Sequence, residues 1–275
     1  MDRVAPTFRG VSFAAGRAPA SSMTTLGVIP ARLGATRLPR KPLRLLAGVP
    51  LVIRVWERVQ GMHVIQRCVI ATDSTEVASA AREHGAEVVL TREDHPSGTD
   101  RVAEVASRPE FRDFDAIVNI QGDEPFVAEA AVRGAMQCVT SGAFPLGTAA
   151  AQSQASILNE PHVVKVVAAD DGRAMYFSRA AIPFLREPRE ASQLVGQVWQ
   201  HIGVYAYRRD ALARWVALPP HPLEMIERLE QLRPLAAGIA MGVARIDEPL
   251  RGGIDTDDDL ARANDDWKAF TTGLS

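Results

Sequence analysis

Short apolar runs alternate with helical segments over the first half of the chain. Apolar runs of strand length lie at residues 26–29, 66–72, 87–90 and 115–120, and segments with helical spacing lie at 50–60, at 76–84 and from about residue 100. Strand and helix in alternation at short spacing are typical of parallel strands joined by right-handed crossovers. The sequence therefore predicts an α/β protein with a mostly parallel central sheet and helices on both faces.

The second half of the chain has a different pattern. Residues 163–169 and 174–178 flank Asp170-Asp-Gly172, which is typical of a hairpin turn. Strands are predicted at 200–208 and 239–246, one helix at 222–233, and a closing helix capped by Thr256. These elements predict a smaller, hairpin-containing lobe on the same sheet, with strands contributed to a partner subunit.

Composition excludes several classes of protein. The 275 residues allow one large α/β domain or two small ones, and the net charge of -2 argues against nucleic-acid binding. No apolar segment reaches the roughly eighteen residues of a membrane span, so no membrane insertion is expected. Cys68 and Cys138 lie far apart, and the apolar run around Cys68 predicts a buried, reduced thiol. We expect a cytoplasmic protein.

Residues 1–22 differ from the rest of the chain. They are rich in Ala, Ser, Gly and Arg, and Asp2 is their one acidic residue. This composition is similar to that of a transit peptide. We favour a disordered N-terminal extension before a domain at 23–275, and we expect the extension to contribute nothing to the site.

A basic loop follows the first apolar run. Arg32, Arg37, Arg40 and Lys41 lie within it, together with Gly34 and two prolines that argue against a helix. The carboxyl ends of strands in open α/β sheets are where ligands bind. We therefore expect the loop to bind a polyanion such as a phosphate chain, although the P-loop motif is absent because Arg-Lys-Pro replaces Gly-Lys-Ser/Thr. Four loops are expected along this edge: 32–41, 71–74, 97–98 and 121–124.

Two acidic residues are candidate metal ligands. Asp123 follows a predicted strand beside Gly122, and Asp255 follows two glycines that allow close approach of the backbone. A hard cation such as Mg²⁺ takes carboxylate oxygens together with phosphate oxygens and water. Acids after strands are also common helix caps, so the spacing alone leaves both roles open.

Other residues could bind a substrate. His201 and Tyr205 share one face of a predicted strand, although a lone histidine on a strand is more often structural. Arg179 could pair with a substrate carboxylate or form a surface salt bridge. Taken by themselves, the residues predict an α/β protein that handles a triphosphate with Mg²⁺, and they identify neither a catalytic base nor an acceptor.

Nine motifs in order resemble those of one enzyme family, the 3-deoxy-manno-octulosonate (Kdo) cytidylyltransferases. They run from about residue 26 to residue 262, and each is modest when taken alone. The motifs are IPARLGATRLPRKPL (29–43), ATD (71–73), TREDHPSGTDR (91–101), VNIQGDEP (118–125), VVKVV (163–167), YFSRAAIP (176–183), HIGVYAYR (201–208), LEQLR (229–233) and GIDTDDDL (253–260).

The resemblance implies a Rossmann-like nucleotidyltransferase fold and transfer of CMP from CTP to the anomeric hydroxyl of Kdo, with release of pyrophosphate. It implies a homodimer, a Mg²⁺ cofactor and a place in lipopolysaccharide biosynthesis. The site residues that it implies are Arg32, Arg37 and Lys41 for the triphosphate; Ala71, Thr72, Asp73, Ser97, Gly98 and Arg101 for cytidine; Asp123 and Asp255 for the metal; and Gln121, Lys165, Arg179, His201, Tyr205, Glu230 and Gln231 for the sugar acid.

The basic loop departs from the family pattern at two positions. Ala35 replaces the usual Ser and removes a hydroxyl that could donate to a phosphate, for which Thr36 could compensate. Arg40 replaces the usual Gly, which adds charge but disfavours a positive φ.

Several alternatives remain open. The acceptor could be sialic acid or an amino analogue of Kdo, since one substituent can depend on few contacts. A sugar-1-phosphate nucleotidyltransferase would share the basic loop but would not need a carboxylate pocket. A catalytically inactive nucleotide-binding regulator is disfavoured because Lys41, Asp123 and Asp255 are all present. A dinucleotide dehydrogenase is disfavoured because no G-x-G-x-x-G follows the first strand.

Overall fold

The computed structural model describes residues 23–34, 37–248 and 250–272, so the predicted extension at 1–22 lies outside the described residues, as do Ala35 and Thr36. The strands are β1 (Thr25–Ala31), β2 (Leu45–Leu46), β3 (Val49–Pro50), β4 (Arg67–Thr72), β5 (Val88–Leu90), β6 (Ala116–Asn119), β7 (Leu146–Gln152), β8 (Lys165–Ala168), β9 (Ala174–Ser178), β10 (Trp199–Arg208) and β11 (Met241–Ile246). The helices are α1 (Leu51–Gln60), α2 (Thr75–Glu83), α3 (Gly98–Ser107), α4 (Glu129–Thr140), α5 (Arg209–Ala217), α6 (Pro222–Glu227), α7 (Leu232–Ala236) and α8 (Asp257–Thr272).

One mixed sheet forms the centre of the molecule, in the order β11-β7-β10-β6-β1-β4-β5. Strands β6, β1, β4 and β5 are parallel neighbours, and β11 is parallel to β7. Strand β10 runs antiparallel to both β6 and β7. The β8–β9 hairpin joins this sheet where Lys165 pairs with Gln200. The predicted mostly parallel sheet and the hairpin at Asp170-Asp-Gly172 are therefore confirmed.

Helices cover both faces of the sheet, as predicted. Alternate residues of β1 point to opposite sides, so Ile29 packs in the core under α1, α2 and α4, while Val28 packs in the core under α3 and α5. Both side chains are fully buried. Two apolar layers thus hold the strands in place and leave their carboxyl ends free to build a site.

The predicted single helix at 222–233 is wrong. Helix α6 ends at Glu227, Arg228 adopts a left-handed conformation with a φ of 55°, and α7 begins at Leu232. The break lets the Arg233 guanidinium fold back and donate to both carboxylate oxygens of Glu224, at 2.8 and 2.5 Å. This buried pair replaces the helical continuation that the local sequence favours.

Arg40 also departs from its sequence expectation. Its φ of 58° lies in the left-handed region that a non-glycine side chain disfavours, yet the chain keeps this conformation at the start of the 3₁₀ turn Lys41–Leu43. The Arg40 guanidinium contacts Glu76 on α2. The loop therefore retains the backbone shape that glycine would give.

Two predictions from composition can be compared with the structure. Cys68 is buried and unpaired, as predicted, and burial raises the pKa of its thiol far above the usual value. Among the described residues, no helix combines the length and the apolar character needed to cross a membrane.

Candidate active site

A cavity of about 430 Å³ opens at the carboxyl ends of β1 and β6. The basic loop forms one wall, and residues 121–123 and the start of α3 form the others. Gly122 is required here because a Cβ at this position would lie 2.8 Å from the Pro30 carbonyl oxygen. Three of the four loops that the sequence placed along this edge line the cavity, and the fourth, at 71–74, contacts the start of α3 through Asp73 and Arg101. The predicted site residues that line the cavity are Arg32, Arg37, Lys41, Ser97, Gly98, Arg101, Gln121, Asp123 and Asp255.

Lys41 lies between the two predicted metal ligands. Its Nζ is 2.5 Å from Asp123 Oδ2 and 2.7 Å from Asp255 Oδ1, and Arg37 lies 2.9 Å from the other oxygen of Asp255. Burial lowers the pKa of Lys41, but the two carboxylates outweigh it and raise that pKa above its usual value. The ammonium is therefore charged and neutralises a pair of acids that would otherwise repel each other.

The backbone fixes the two acids relative to each other. The amide of Ile254 donates to the carbonyl of Asp123 at 2.9 Å, which joins the two loops directly. Asp259 Oδ2 accepts from the amides of Asp255 and Thr256 at 3.0 and 2.8 Å, and Thr256 caps α8 as predicted. Helix α8 therefore holds Asp255 through its first turn.

Glu124 is a neighbouring acid that the sequence analysis did not select. A Cβ on Gly253 would lie 2.8 Å from Glu124 Oε1, so the carboxyl group fits beneath that glycine. Burial raises the pKa of Glu124 to about 8. The negative charges of Asp123 and Asp255 also raise this pKa, whereas the positive charge of Lys41 lowers it. The signal was its place directly after Asp123 in the QGDEP motif.

The residues present fit a divalent cation. Asp123 and Asp255 converge on one ammonium, so the position they surround already suits a positive charge. Carboxylate oxygens are ligands that Mg²⁺ prefers, with phosphate oxygens and water completing its shell. Within the described part of the chain no group of three or more His, Cys, Asp or Glu residues is placed to hold a metal. Two protein carboxylates plus a phosphate ligand are consistent with both observations.

The predicted cytidine residues lie beside this cation cluster. Ser97 caps α3, and the guanidinium of Arg101 lies 3.3 Å from Asp73 and also contacts the Thr91 hydroxyl. Ala71 and Thr72 are fully buried in β4, so a ligand at this edge could reach their backbone but not their side chains.

His95 also lines the cavity, although the sequence analysis did not select it. Its Nε2 lies 2.5 Å from Glu104 Oε2, and its side chain is only 4% exposed. Burial raises the pKa of Glu104, but hydrogen bonds from the Arg92 amide, Arg108 and His95 outweigh this and lower it to about 2. The histidine lies in the TREDHPSGTDR motif, which was the available signal.

Strand β10 carries the predicted sugar-acid residues His201 and Tyr205. The Thr148 hydroxyl donates to the Val204 carbonyl at 2.7 Å, so we assign it as the acceptor of the bond from His201 Nε2, at 3.0 Å. Burial lowers the pKa of His201 to about 3, which leaves a neutral ring at neutral pH. Burial raises the pKa of Tyr205 well above its usual value. Both side chains are therefore uncharged hydrogen-bonding groups.

Three further predicted residues lie between the cavity, strand β10 and the start of α3. Gln121 Nε2 donates to the Gly203 carbonyl at 3.3 Å, which links the cavity to β10. Glu230 Oε1 lies 2.7 Å from the Ser97 hydroxyl, and Gln231 beside it is buried. The turn between α6 and α7 thus meets the start of α3.

Lys165 and Arg179 lie apart from the cavity. Lys165 donates to the carbonyl oxygens of Glu160 and Val163 at 3.0 and 2.8 Å, and to that of Arg179 at 2.5 Å. The guanidinium of Arg179 donates to the Glu227 carbonyl at 2.9 Å and to carbonyls at residues 161 and 162. The structure does not bring these two cations to the cavity lining, and it engages both with backbone carbonyls.

A mostly parallel sheet with a cation-lined cavity at its strand ends defines a nucleotide-binding α/β protein. The cytidylyltransferase family matches residues 26–243. The 3-deoxy-manno-octulosonate cytidylyltransferase of Gemmatimonas aurantiaca is 62% identical over 89% of this chain and 95% of its own length. The 3-deoxy-manno-octulosonate cytidylyltransferase of Rhodopseudomonas palustris is 44% identical over 88% of this chain and 97% of its own length.

A solved structure agrees with these relatives. It is described as CMP:2-keto-3-deoxy-manno-octonic acid synthetase complexed with CTP, and it superposes with a TM-score of 0.82 at 36% identity, over 90% of this chain and 99% of its own. The chain belongs to the 3-deoxy-manno-octulosonate cytidylyltransferase family, which confirms the resemblance seen in its motifs.

Proposed function

We propose that this protein transfers CMP from CTP to the anomeric hydroxyl of Kdo and releases pyrophosphate, as a step of lipopolysaccharide biosynthesis. The observation that carries the proposal is the cluster of Lys41, Asp123 and Asp255 at the cavity of a chain from this family. The related structure is described as a complex with CTP, which supports the same donor here.

The cavity supplies groups suited to a triphosphate. Arg32, Arg37 and Lys41 line one wall and can bind its oxygens by charge-assisted hydrogen bonds. Ser97 and Gly98 lie at the N-terminal end of α3, where backbone amides favour an anion. These residues would orient the α-phosphate toward the acceptor side of the cavity.

Asp123 and Asp255 would hold Mg²⁺. The cation supplies positive charge that polarises the phosphate and offsets the repulsion between a triphosphate and a sugar carboxylate. Lys41 would then turn from the two carboxylates to the phosphate oxygens, which keeps its charge inside the site. Gln121 extends from the cavity to β10, between this cluster and the predicted acceptor residues.

The reaction needs little from a protein base. The anomeric oxygen forms a bond to the α-phosphorus, the bond from that phosphorus to the bridging oxygen breaks, and pyrophosphate leaves while the hydroxyl proton passes to solvent. Positioning and charge stabilisation supply most of the rate enhancement in phosphoryl chemistry. His201, with a pKa of about 3, is a weak base and suits a role in binding the sugar acid.

The same proposal includes a homodimer in the cytoplasm. Six large apolar side chains between residues 175 and 226 are exposed, which supports burial of this region against a second copy of the chain. They are Met175, Phe184, Val195, Leu223, Met225 and Ile226.

Pyrophosphate release tests the proposed function. Purified protein is supplied with CTP and Mg²⁺, and with Kdo, its amino analogue, sialic acid or no acceptor. We expect release with Kdo and little without an acceptor, and we expect Asp123→Asn and Asp255→Asn each to abolish it. CTP binding without release in any of the four reactions would contradict the proposal and favour a regulator.

A further inference from the structure

One serine hydroxyl lies between two carboxyl groups. Ser97 Oγ is 2.7 Å from Asp100 Oδ2 and 2.7 Å from Glu230 Oε1, and it also accepts from the Asp100 amide at 3.2 Å. A hydroxyl has a single proton to donate. The Ser97 hydroxyl can therefore donate to only one of the two carboxylates. In the other contact, two oxygens would lie 2.7 Å apart with no hydrogen between them, unless that carboxyl group is itself protonated.

The surroundings identify which carboxyl holds the extra proton. Asp100 is the third residue of α3, where the helix N-terminus stabilises a negative charge. Burial raises the pKa of Glu230 and the charge of Asp100 adds to the shift, while hydrogen bonds from Ser97 and Thr99 and the charge of Arg233 oppose it. The proton therefore belongs to Glu230.

We propose that Asp100 is a positioning residue that, through the Ser97 hydroxyl, keeps Glu230 protonated and therefore uncharged beside the acceptor. The proposal rests on the proposed function, because it takes the acceptor to be a sugar acid that meets Glu230. A neutral Glu230 adds no negative charge where an acidic sugar must approach a triphosphate. Its one proton lies in the contact with Ser97, so its role beside the sugar acid is to remain uncharged.

The other charged or titratable groups facing Glu230 come from three elements. Asp100 lies on α3, Tyr205 and Tyr207 lie on β10, and Arg233 lies on α7. Burial raises the pKa of both tyrosines, and the Glu224 contact raises that of Arg233, so these three groups keep their protonation state near neutral pH. Acceptor affinity should accordingly fall as pH rises through the ionisation of Glu230.

Kinetics over a pH series test the proposal. The KM for Kdo is measured from pH 6 to 9.5 for the natural sequence, Asp100→Asn and Glu230→Gln, with CTP affinity measured separately by calorimetry. Asp94→Asn, which removes an exposed acid of the preceding loop, is the matched control. We expect the KM to rise about tenfold per pH unit above the ionisation.

Asp100→Asn should move the onset of this rise about one pH unit lower, because a neighbouring charge no longer opposes ionisation of Glu230. Glu230→Gln, which is uncharged at every pH, should remove the rise, and CTP affinity should keep its pH course in both variants. An unchanged onset in Asp100→Asn, or the same rise in Glu230→Gln, would overturn the proposal.

Infrared difference spectra test the proton without any turnover. The natural sequence minus Glu230→Gln should show a protonated carboxyl band at neutral pH, and Asp100→Asn should lose that band at a lower pH than the natural sequence does. Glu124 is unchanged in every variant, so its own carboxyl signal cancels in the difference. Absence of the band would refute the proposal even if Kdo is a substrate. Presence of the band without pyrophosphate release would leave the protonation standing and refute the proposed function.

Discussion

At the residue scale, two adjacent cations of the basic loop have different surroundings. Lys41 is bound between Asp123 and Asp255, and its side chain is 14% exposed. Arg40 is 57% exposed and pairs with Glu76 on α2, away from the two acids. Exposed ion pairs contribute little, whereas a charge placed within an active site can stabilise a transition state strongly. Their roles in catalysis should differ accordingly.

We expect Lys41→Ala to lower turnover at least about 100-fold, because it removes a positive charge from the site of phosphoryl transfer. Arg40→Ala should change it by no more than about threefold. Steady-state pyrophosphate release at saturating CTP and Kdo measures both. Equal losses in the two variants would contradict this assignment of the loop.

The pairing of Glu104 makes part of the stability pH-dependent. The pKa of Glu104 in the folded protein is about 2, below the usual 4.5. Its contribution to the free energy of unfolding is therefore complete above about pH 4.5 and is lost as the pH falls toward 2. Glu104→Gln should therefore be less stable than the natural sequence at pH 7, and the difference should shrink below pH 4.5. Urea unfolding at pH 7, 5 and 3.5 measures this trend.

Glu93→Gln is the matched control for this experiment, since Glu93 is exposed on the loop that carries Arg92 and His95. Its effect on the free energy of unfolding should be small at all three pH values. A Glu104→Gln difference that stays constant from pH 7 to 3.5 would show that His95, Arg92 and Arg108 do not stabilise the ionised carboxylate.

At the scale of elements, the break between α6 and α7 places Glu230 against α3. It depends on Arg228, which ends α6 in the left-handed region that costs an L-residue roughly 1 kcal/mol or more. Arg228→Gly should raise the free energy of unfolding by about 0.5–1 kcal/mol, after allowing for the flexibility that glycine adds to the unfolded chain. Thermal and urea unfolding measure the gain.

Arg228→Ala removes the same charge but keeps the strain, so it should give no such gain. If the alanine variant is stabilised as much as the glycine variant, the effect comes from charge and the strain argument fails. Neither substitution touches the cavity lining.

The elements that the sequence predicted have strong local signals. Strands β1, β4 and β6 are runs of buried aliphatic residues, and the cap Thr256 stands where the sequence placed it. Because parallel strands end at one edge, the order of the elements also predicted which loops meet. Strand β7 was missed together with α4 and α5, and its sequence LGTAAAQ has little of the usual strand composition.

Packing explains the unusual composition of β7. A Cβ on Gly147 would lie 2.1 Å from the carbonyl oxygen of Ala135, so α4 lies too close to this strand for any larger residue. The same reason limits prediction of the site. The contacts of Ser97 with Glu230 and of His95 with Glu104 depend on side-chain placement, which periodicity does not report. The positions of Lys165 and Arg179 away from the cavity were likewise not visible in the sequence.

At the scale of the whole molecule, the exposed apolar residues between 175 and 226 are predicted to be buried in a homodimer. Phe184 is 80% exposed and Ile226 is 77% exposed. Changing both to Asp should place unpaired charges in the interface and shift the protein to a monomer. Sedimentation velocity across a concentration series measures the change in mass.

Leu45→Asp is the control, since Leu45 is 55% exposed on the β2–β3 hairpin, outside this region. It should sediment like the natural sequence. A natural sequence that stays monomeric at micromolar concentration, or a double variant that stays dimeric, would contradict the proposed interface.

The contact between Lys41 and Asp255 joins residues 214 positions apart in the chain. A ribosome therefore completes the basic loop long before it adds the carboxylate that this loop requires. Until then Asp123 is the one member of the acid pair that the growing polypeptide contains, and its partner arrives after the sheet strands have been made. Under the proposed function, competence for chemistry thus awaits the synthesis of residue 255 and the docking of α8, and does not appear gradually as the sheet grows.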